Sequence, residues 1–149
     1  MKQPKIASLI AVFSFVALTL GEPLYAAFPV STSTGAIIAS KRTRNVEIVL
    51  TSDSGKLTGG DNSFCVLFQS VETRDSADVR NVSVDFRQLV GKLQEEPIRA
   101  TLTQDGVGHY CGEINLGRQY YTPSSYYAFV RYTDATGKQR RARLYVSVK

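Results

Sequence analysis

From residue 46 to residue 148, apolar side chains recur at every second position in a series of short runs. Val46, Ile48 and Leu50 share one side of the first run, and residues 142–148 repeat the pattern at the end of the chain. A period of two indicates a half-buried β-strand, because successive side chains point to opposite faces of a sheet. Runs of this kind, rich in Val, Phe and Tyr, predict an all-β chain that folds as an antiparallel β-sandwich of about seven strands.

Turn-forming residues separate these runs, as expected for strands joined by hairpins and short loops. They include Asp61-Asn62, Asp105-Gly106 and Thr136-Gly137. The best candidate for a helix is 87–96, but Gly91 and the following Pro97 limit it to a turn or two. The chain shows no convincing helical period elsewhere.

The N-terminal segment has the pattern of a secretory signal peptide. Basic residues at 2 and 5 precede the apolar run Ile6–Leu20, and Leu24 and Ala26 occupy the positions that signal peptidase reads. We therefore predict a signal peptide over 1–26, a flexible leader over 27–43 with room for one loose strand, and a β-sandwich domain over 44–149. The protein is then periplasmic or secreted. An uncleaved membrane anchor is the alternative, although the run is short for a span of roughly 20 residues.

The charge balance does not indicate a nucleic-acid-binding protein. The chain has 18 Lys and Arg and 13 Asp and Glu, and cleavage after Ala26 removes two lysines and one glutamate. The mature chain is therefore only mildly basic, with a net charge of about +4, and export separates it from nucleic acid.

Several motifs resemble the YtkA-like family of exported bacterial domains, which is related to FixH-like proteins. The strand opening "GDNSFCV" fits the pattern GxNxFxV, and "DGVGHYCGEI" fits DGxGxYxGxI. The matching positions are Gly60, Asn62, Phe64, Val66, Asp105, Gly106, Gly108, Tyr110, Gly112 and Ile114. The resemblance extends over about Val46 to Val148. It implies an immunoglobulin-like β-sandwich outside the cytoplasm, in a family with links to membrane or copper-related processes. Where many relatives carry methionines and histidines, this chain reads "FRQLVGKLQEEPI".

The two cysteines, Cys65 and Cys111, favour a disulfide in an exported chain. Strand parity places Phe64 and Tyr110 inward, so that both cysteines point outward. We expect their strands to be neighbours in one sheet, joined by a cross-strand disulfide on the sheet's outer face. Two free thiols are the alternative.

The same cysteines and His109 are the candidates for chemistry. The single methionine is Met1, so a mature chain offers soft metals only these three ligands. With the disulfide formed, one imidazole remains, and we predict neither a metal site nor a cofactor. His109 and Cys111 lie two apart and face the same side, as a base and a nucleophile would, but a disulfide removes the nucleophile. We therefore predict no enzymatic activity and an exposed imidazole at His109.

Tyrosines and arginines near the C-terminus are the candidates for partner binding. Alternation allows only one residue of each Tyr-Tyr pair to face the core, and exposed tyrosines are frequent in recognition surfaces. An arginine cluster follows, which suits an acidic partner or acidic lipid headgroups. The alternatives are rings packed along strand edges and a solvated hairpin whose charges protect a sheet edge. The candidate residues are Tyr120, Tyr121, Tyr126, Tyr127, Arg140, Arg141 and Arg143.

These features predict a non-catalytic, exported binding or assembly module that is accessory to a membrane or envelope complex. Its expected partner is a protein, with contact to a membrane surface as a further expectation. The main alternative is a secreted structural or adhesive subunit that assembles through strand edges. A copper-handling periplasmic protein is the third hypothesis.

Overall fold

A computed structural model describes residues 35–90, 93–94, 96–118 and 124–149. The described residues belong to one compact unit. The predicted signal peptide and the first part of the predicted leader lie outside them. The strands are β1 Ala36–Arg42, β2 Val46–Ser52, β3 Asp61–Ser70, β4 Arg80–Val90, β5 Leu93–Gln94, β6 Ile98–Arg99, β7 Thr101–Gly106, β8 His109–Asn115, β9 Ser124–Thr133 and β10 Gln139–Val148.

The strands form two antiparallel sheets. The first sheet has the order β1-β2-β3-β8-β7, and the second has the order β10-β9-β4-β5, with β6 also paired to β4. The predicted all-β, immunoglobulin-like antiparallel sandwich is confirmed. Strand β1 lies within the predicted leader and pairs with β2. The sandwich therefore begins before residue 44, where the sequence placed its start.

The core fills the space between the inward faces of the two sheets. Phe64 of the first sheet meets Phe86 of the second edge to face, with ring centroids 5.4 Å apart. Phe68 and Tyr132 make a second contact between the sheets at 5.0 Å. Burying each of these large side chains contributes about 1.5–3 kcal/mol, so the alternating pattern stabilises the sandwich.

The helical candidate at 87–96 is wrong where the structure describes it. Residues 87–90 continue strand β4, and Leu93–Gln94 form β5, which pairs back onto Leu89 and Val90. Pairing with a neighbouring strand supplies hydrogen bonds that one or two isolated helical turns cannot match. The described residues contain no helix long and apolar enough to cross a membrane.

Candidate functional sites

The first site is the disulfide between Cys65 and Cys111. The two residues lie directly opposite each other on β3 and β8, with their Cα atoms 4.0 Å apart. Both are half-buried and point away from the core, while their neighbours Phe64 and Tyr110 are buried. The predicted cross-strand disulfide on an outer face is therefore confirmed. A disulfide fits an extracellular or periplasmic domain, because cytosolic thiols are kept reduced.

His109 lies beside this disulfide on the same face of β8. Its Nε2 is 3.3 Å from the Sγ of Cys111, and its Nδ1 is 3.5 Å from an Oδ of Asp105. The side chain of His109 is only 10% exposed, so the prediction of an exposed histidine is wrong. Strand parity gives the direction of the side chain correctly, but the ring is enclosed because it lies between the carboxylate and the disulfide.

Cys65, His109 and Cys111 also contain the atoms that could hold a metal ion. Their sulfur and imidazole nitrogen atoms lie within 4.8 Å of one another. In the oxidised protein both sulfurs are committed to the disulfide, which leaves the imidazole as the ligand of this group. A soft cation needs thiolates, so the cluster suits such an ion only after reduction.

A groove of about 400 Å³ runs past the disulfide on the outer face of the first sheet. The strand registers place Thr51, Cys65, Cys111 and Thr103 in one row across β2, β3, β8 and β7. All four residues line the groove. The disulfide therefore lies in the wall of a depression that an incoming molecule can enter.

Glycine at position 112 allows β7 to lie close to β8 beside the groove. A Cβ atom at Gly112 would be 2.1 Å from the carbonyl oxygen of Thr101 and 2.7 Å from a methyl carbon of Leu102. Real Cβ atoms do not approach a backbone oxygen so closely, so a larger residue would push β7 away. The glycine thus preserves the edge of the groove next to Cys111.

The second site lies on the outer face of the second sheet. Register places Arg87, Tyr127 and Tyr145 in one row across β4, β9 and β10, and Phe129 lies opposite Arg143 in the next row. We call these five residues the aromatic–arginine face. The ring of Tyr127 is 6.1 Å from that of Tyr145 and 6.2 Å from that of Phe129.

Arginine side chains cover these rings. The guanidinium carbon of Arg143 lies 4.6 Å from the centroid of Tyr127, and that of Arg87 lies 5.5 Å from the centroid of Phe129. Both distances are typical of cation–π contacts, each worth about 0.5–1 kcal/mol at an exposed site. Because the rings and guanidinium groups support each other, the face presents an ordered surface of aromatic and cationic groups.

Among the described residues at the outward strand positions of the second sheet, arginines outnumber carboxylates. Asp85, which is 7% exposed, accepts hydrogen bonds from Arg99 at 2.9 Å and from Arg131. Its charge is thereby neutralised within the sheet. The outward positions of β4, β9 and β10, together with β6, carry Arg87, Arg99, Arg131, Arg141 and Arg143 against this one described carboxylate.

The structure separates the residues that the sequence grouped as a partner-binding surface. Tyr120 and Tyr121 lie outside the described residues. Tyr126 is 1% exposed and belongs to the core, so it cannot meet a partner. Tyr127 lies on the outer side of the same strand, as expected when one residue of a Tyr-Tyr pair faces inward.

The three candidate arginines also have different surroundings. Arg140 pairs with Asp134 at 2.8 Å in the β9–β10 turn. Arg141 is exposed opposite Arg131, and Arg143 stacks on Tyr127. Sequence reasoning missed Phe129 and Tyr145 as parts of this surface, although they have the same outward parity as Tyr127.

Comparison with known proteins supports the fold. No family model and no curated protein matches the chain. A solved DUF4426 family protein from Pseudomonas aeruginosa PAO1 is similar with a TM-score of 0.51 and 8% identity, covering 72% of this chain and 94% of that one. Mouse CRIg aligns with a TM-score of 0.40 and 13% identity, over 62% of this chain and 87% of its own. At 8% identity the first likeness shows the fold alone, and the resemblance to the YtkA-like family stays a prediction.

Proposed function

We propose that this protein is a non-catalytic binding module that acts outside the cytoplasm and contacts an acidic protein surface through its aromatic–arginine face. The observation that carries the proposal is the stacking of Arg143 on Tyr127, next to Tyr145, which is 56% exposed. The predicted export adds the expectation that the partner belongs to a membrane or envelope complex.

The chemistry of the face matches that of protein recognition sites. Tyr and Arg are enriched among the residues that contribute most of the binding energy at protein interfaces. Their side chains contribute most when they are already held in the bound conformation, because less rotamer entropy is then lost. Ring contacts hold Tyr127 against Phe129 and Tyr145, and the hydroxyl of Tyr145 lies 2.6 Å from the Oγ of Ser125.

The charge of the face selects the kind of partner. Asp85 is already bound by Arg99 and Arg131, so it does not compete for Arg143. An acidic partner gains attraction to the excess of guanidinium groups, whereas a basic partner is repelled. The face therefore favours a protein surface that exposes carboxylates.

A photocrosslinking residue in place of Tyr145, introduced in the cells that produce the protein, tests this proposal. We expect a covalent adduct with one envelope protein, and we expect the purified pair to bind more weakly as salt rises. Arg143→Glu should weaken this binding by about tenfold or more, because it reverses a charge at the centre of the face. Lys41→Glu makes the same charge change on β1 of the first sheet and should leave binding unchanged.

Three outcomes would contradict the proposal. If the Arg143→Glu and Lys41→Glu variants bind the partner with equal affinity, the aromatic–arginine face is not part of the interface. Crosslinking only to further copies of this chain would favour the structural or adhesive subunit. Binding of phosphatidylglycerol vesicles without a protein adduct would assign the face to a lipid surface.

A further inference from the structure

We propose that the Cys65–Cys111 disulfide is a reactive site that exchanges with a thiol carried by a neutral or cationic molecule. The incoming thiolate attacks the sulfur of Cys65, and the sulfur of Cys111 leaves. This reactivity lies on the first sheet and is independent of the binding face on the second. It is a reaction of the protein's own disulfide, so it goes beyond the proposed binding function.

The position of His109 determines which sulfur leaves. A protonated imidazole carries a proton on each ring nitrogen. The structure places the Sγ of Cys111 3.3 Å from Nε2, and it places a carboxylate oxygen of Asp105 at ion-pair distance, 3.5 Å from Nδ1. As the disulfide breaks, negative charge develops on the departing sulfur. A donor at Cys111 stabilises that charge and makes Cys111 the better leaving group. His109 is thus the proton donor, and Asp105 positions it.

The exchange balances in two steps. In the first, the external thiolate forms a bond to the sulfur of Cys65 while the Cys65–Cys111 bond breaks, and His109 gives its proton to the Cys111 thiolate. In the second, another external thiolate attacks the external sulfur of this mixed disulfide and releases Cys65 as a thiolate. The protein disulfide gains two electrons, and two external thiols become one external disulfide.

The groove supplies the access that this reaction needs. Both cysteines line it, so the attacking sulfur reaches the disulfide without opening the core.

The charges of the groove select the incoming thiol. The charged residues that line it are Asp53 and Glu113, both acidic. Carboxylates at the approach repel an anionic thiol and attract a cationic one. The site therefore favours a thiol on a neutral or cationic carrier.

The fold tolerates the opening of the bond. Backbone pairing between β3 and β8 extends from Asp61 opposite Asn115 to Leu67 opposite His109, on both sides of the two cysteines. These hydrogen bonds hold the strands together without the sulfur bridge. The domain can therefore alternate between disulfide and dithiol forms while it remains folded.

Reduction of the purified protein by cysteamine, a cationic thiol, and by 2-mercaptoethanesulfonate, an anionic thiol, tests the proposal. The reaction is stopped with iodoacetamide and digested with trypsin, which places the cysteines in separate peptides, 57–74 and 100–118. We expect the first cysteamine adduct on Cys65 and the iodoacetamide label on Cys111. Per thiolate, cysteamine should react about threefold faster or more, as expected for steering by the acidic groove.

Two variants make the test specific. His109→Gln should slow reduction by about tenfold or more, since it removes the proton donor while retaining a polar side chain. Glu113→Gln should reduce the preference for cysteamine and leave the adduct on Cys65. Circular dichroism and melting temperature establish that both variants are folded and oxidised at the start. An unchanged rate in His109→Gln, or a first adduct on Cys111, would overturn the proposal.

Discussion

Tyr110 combines a core ring with a single buried polar group. Its hydroxyl donates a hydrogen bond of 2.7 Å to the carbonyl oxygen of Val79, and burial raises the pKa of the phenol. Tyr110→Phe keeps the ring but removes this bond, so we expect the free energy of unfolding to fall by about 1 kcal/mol. Urea denaturation measures the change.

Tyr145→Phe is the matched control for this prediction. The Tyr145 hydroxyl contacts Ser125 at an exposed position, where water replaces the lost partner. We expect a change within about 0.5 kcal/mol, as for most surface substitutions. Equal losses in the two variants would show that burial of the Tyr110 hydroxyl does not determine its contribution.

For single residues, sequence parity predicts the direction of a side chain but not its burial. Parity correctly places Cys65 and Cys111 outward, and it allows only one residue of the pair Tyr126 and Tyr127 to face inward. It fails for the burial of His109, because that burial depends on Asp105 and on the disulfide next to the ring. These contacts depend on the β7–β8 turn and on the pairing of β3 with β8. The alternation of apolar residues within one strand does not predict either of them.

Among the elements, the strands with a strong pattern were predictable and the weakly patterned ones were not. The alternating runs from residue 46 onward correspond to β2, β3, β4, the β6–β7 segment, β8, β9 and β10. Strand β1 is mostly exposed, so its sequence has little reason to alternate. The predicted adjacency of the Cys65 and Cys111 strands is confirmed, but the complete order of each sheet depends on long-range pairing that no local pattern encodes.

The β9–β10 hairpin depends on the carboxylate of Asp134. It accepts hydrogen bonds from the Thr136 hydroxyl at 2.6 Å, from Arg140 at 2.8 Å and from the backbone amides of Thr136 and Lys138. The bonds from Thr136 and Arg140 are the main reason that the pKa of Asp134 is well below its usual range. The ionised carboxylate is thus a stabilising part of the turn.

This contact makes the hairpin sensitive to acid. A carboxyl group whose pKa is lowered by folding stabilises the protein above its unfolded pKa of about 4, and this contribution is lost as the pH falls below that value. We expect Asp134→Asn to lower the melting temperature at pH 7 and to differ much less from the unaltered protein at pH 2. Thermal melts across this range measure the difference. Asp53→Asn, at an exposed turn, is the control. If the melting temperatures of Asp134→Asn and the unaltered protein differ as much at pH 2 as at pH 7, this account is contradicted.

For the whole molecule, the sandwich separates two kinds of chemistry onto opposite outer faces. The first sheet carries the disulfide, His109 and the acidic groove, and the second carries the aromatic–arginine face. The sequence indicated Cys65, Cys111 and His109 of the first group, and Tyr127 and Arg143 of the second. It did not determine which residue of the pair Tyr126 and Tyr127 faces inward. Tyr145 has outward parity, but only the register of β10 against β9 places its ring next to Tyr127.

The stability of the whole domain provides the last prediction. The disulfide joins residues separated by 46 positions, and closing a loop of that length in the unfolded chain contributes about 4 kcal/mol in the chain-entropy model. Small domains have about 5–15 kcal/mol of total stability, and the core lies on the other side of the first sheet from the sulfurs. We therefore expect Cys65→Ser combined with Cys111→Ser to lower the free energy of unfolding by up to about 4 kcal/mol.

We also expect this double variant to remain folded at 25 °C, with an unchanged β-type circular dichroism spectrum. Urea denaturation measures the loss of stability, and the unaltered protein reduced in excess phosphine should lose a similar amount. The comparison separates the missing covalent bond from any effect of the serine hydroxyls. A double variant or reduced protein that unfolds in buffer would show that the bridge is required for the sandwich, and it would also exclude a folded dithiol form.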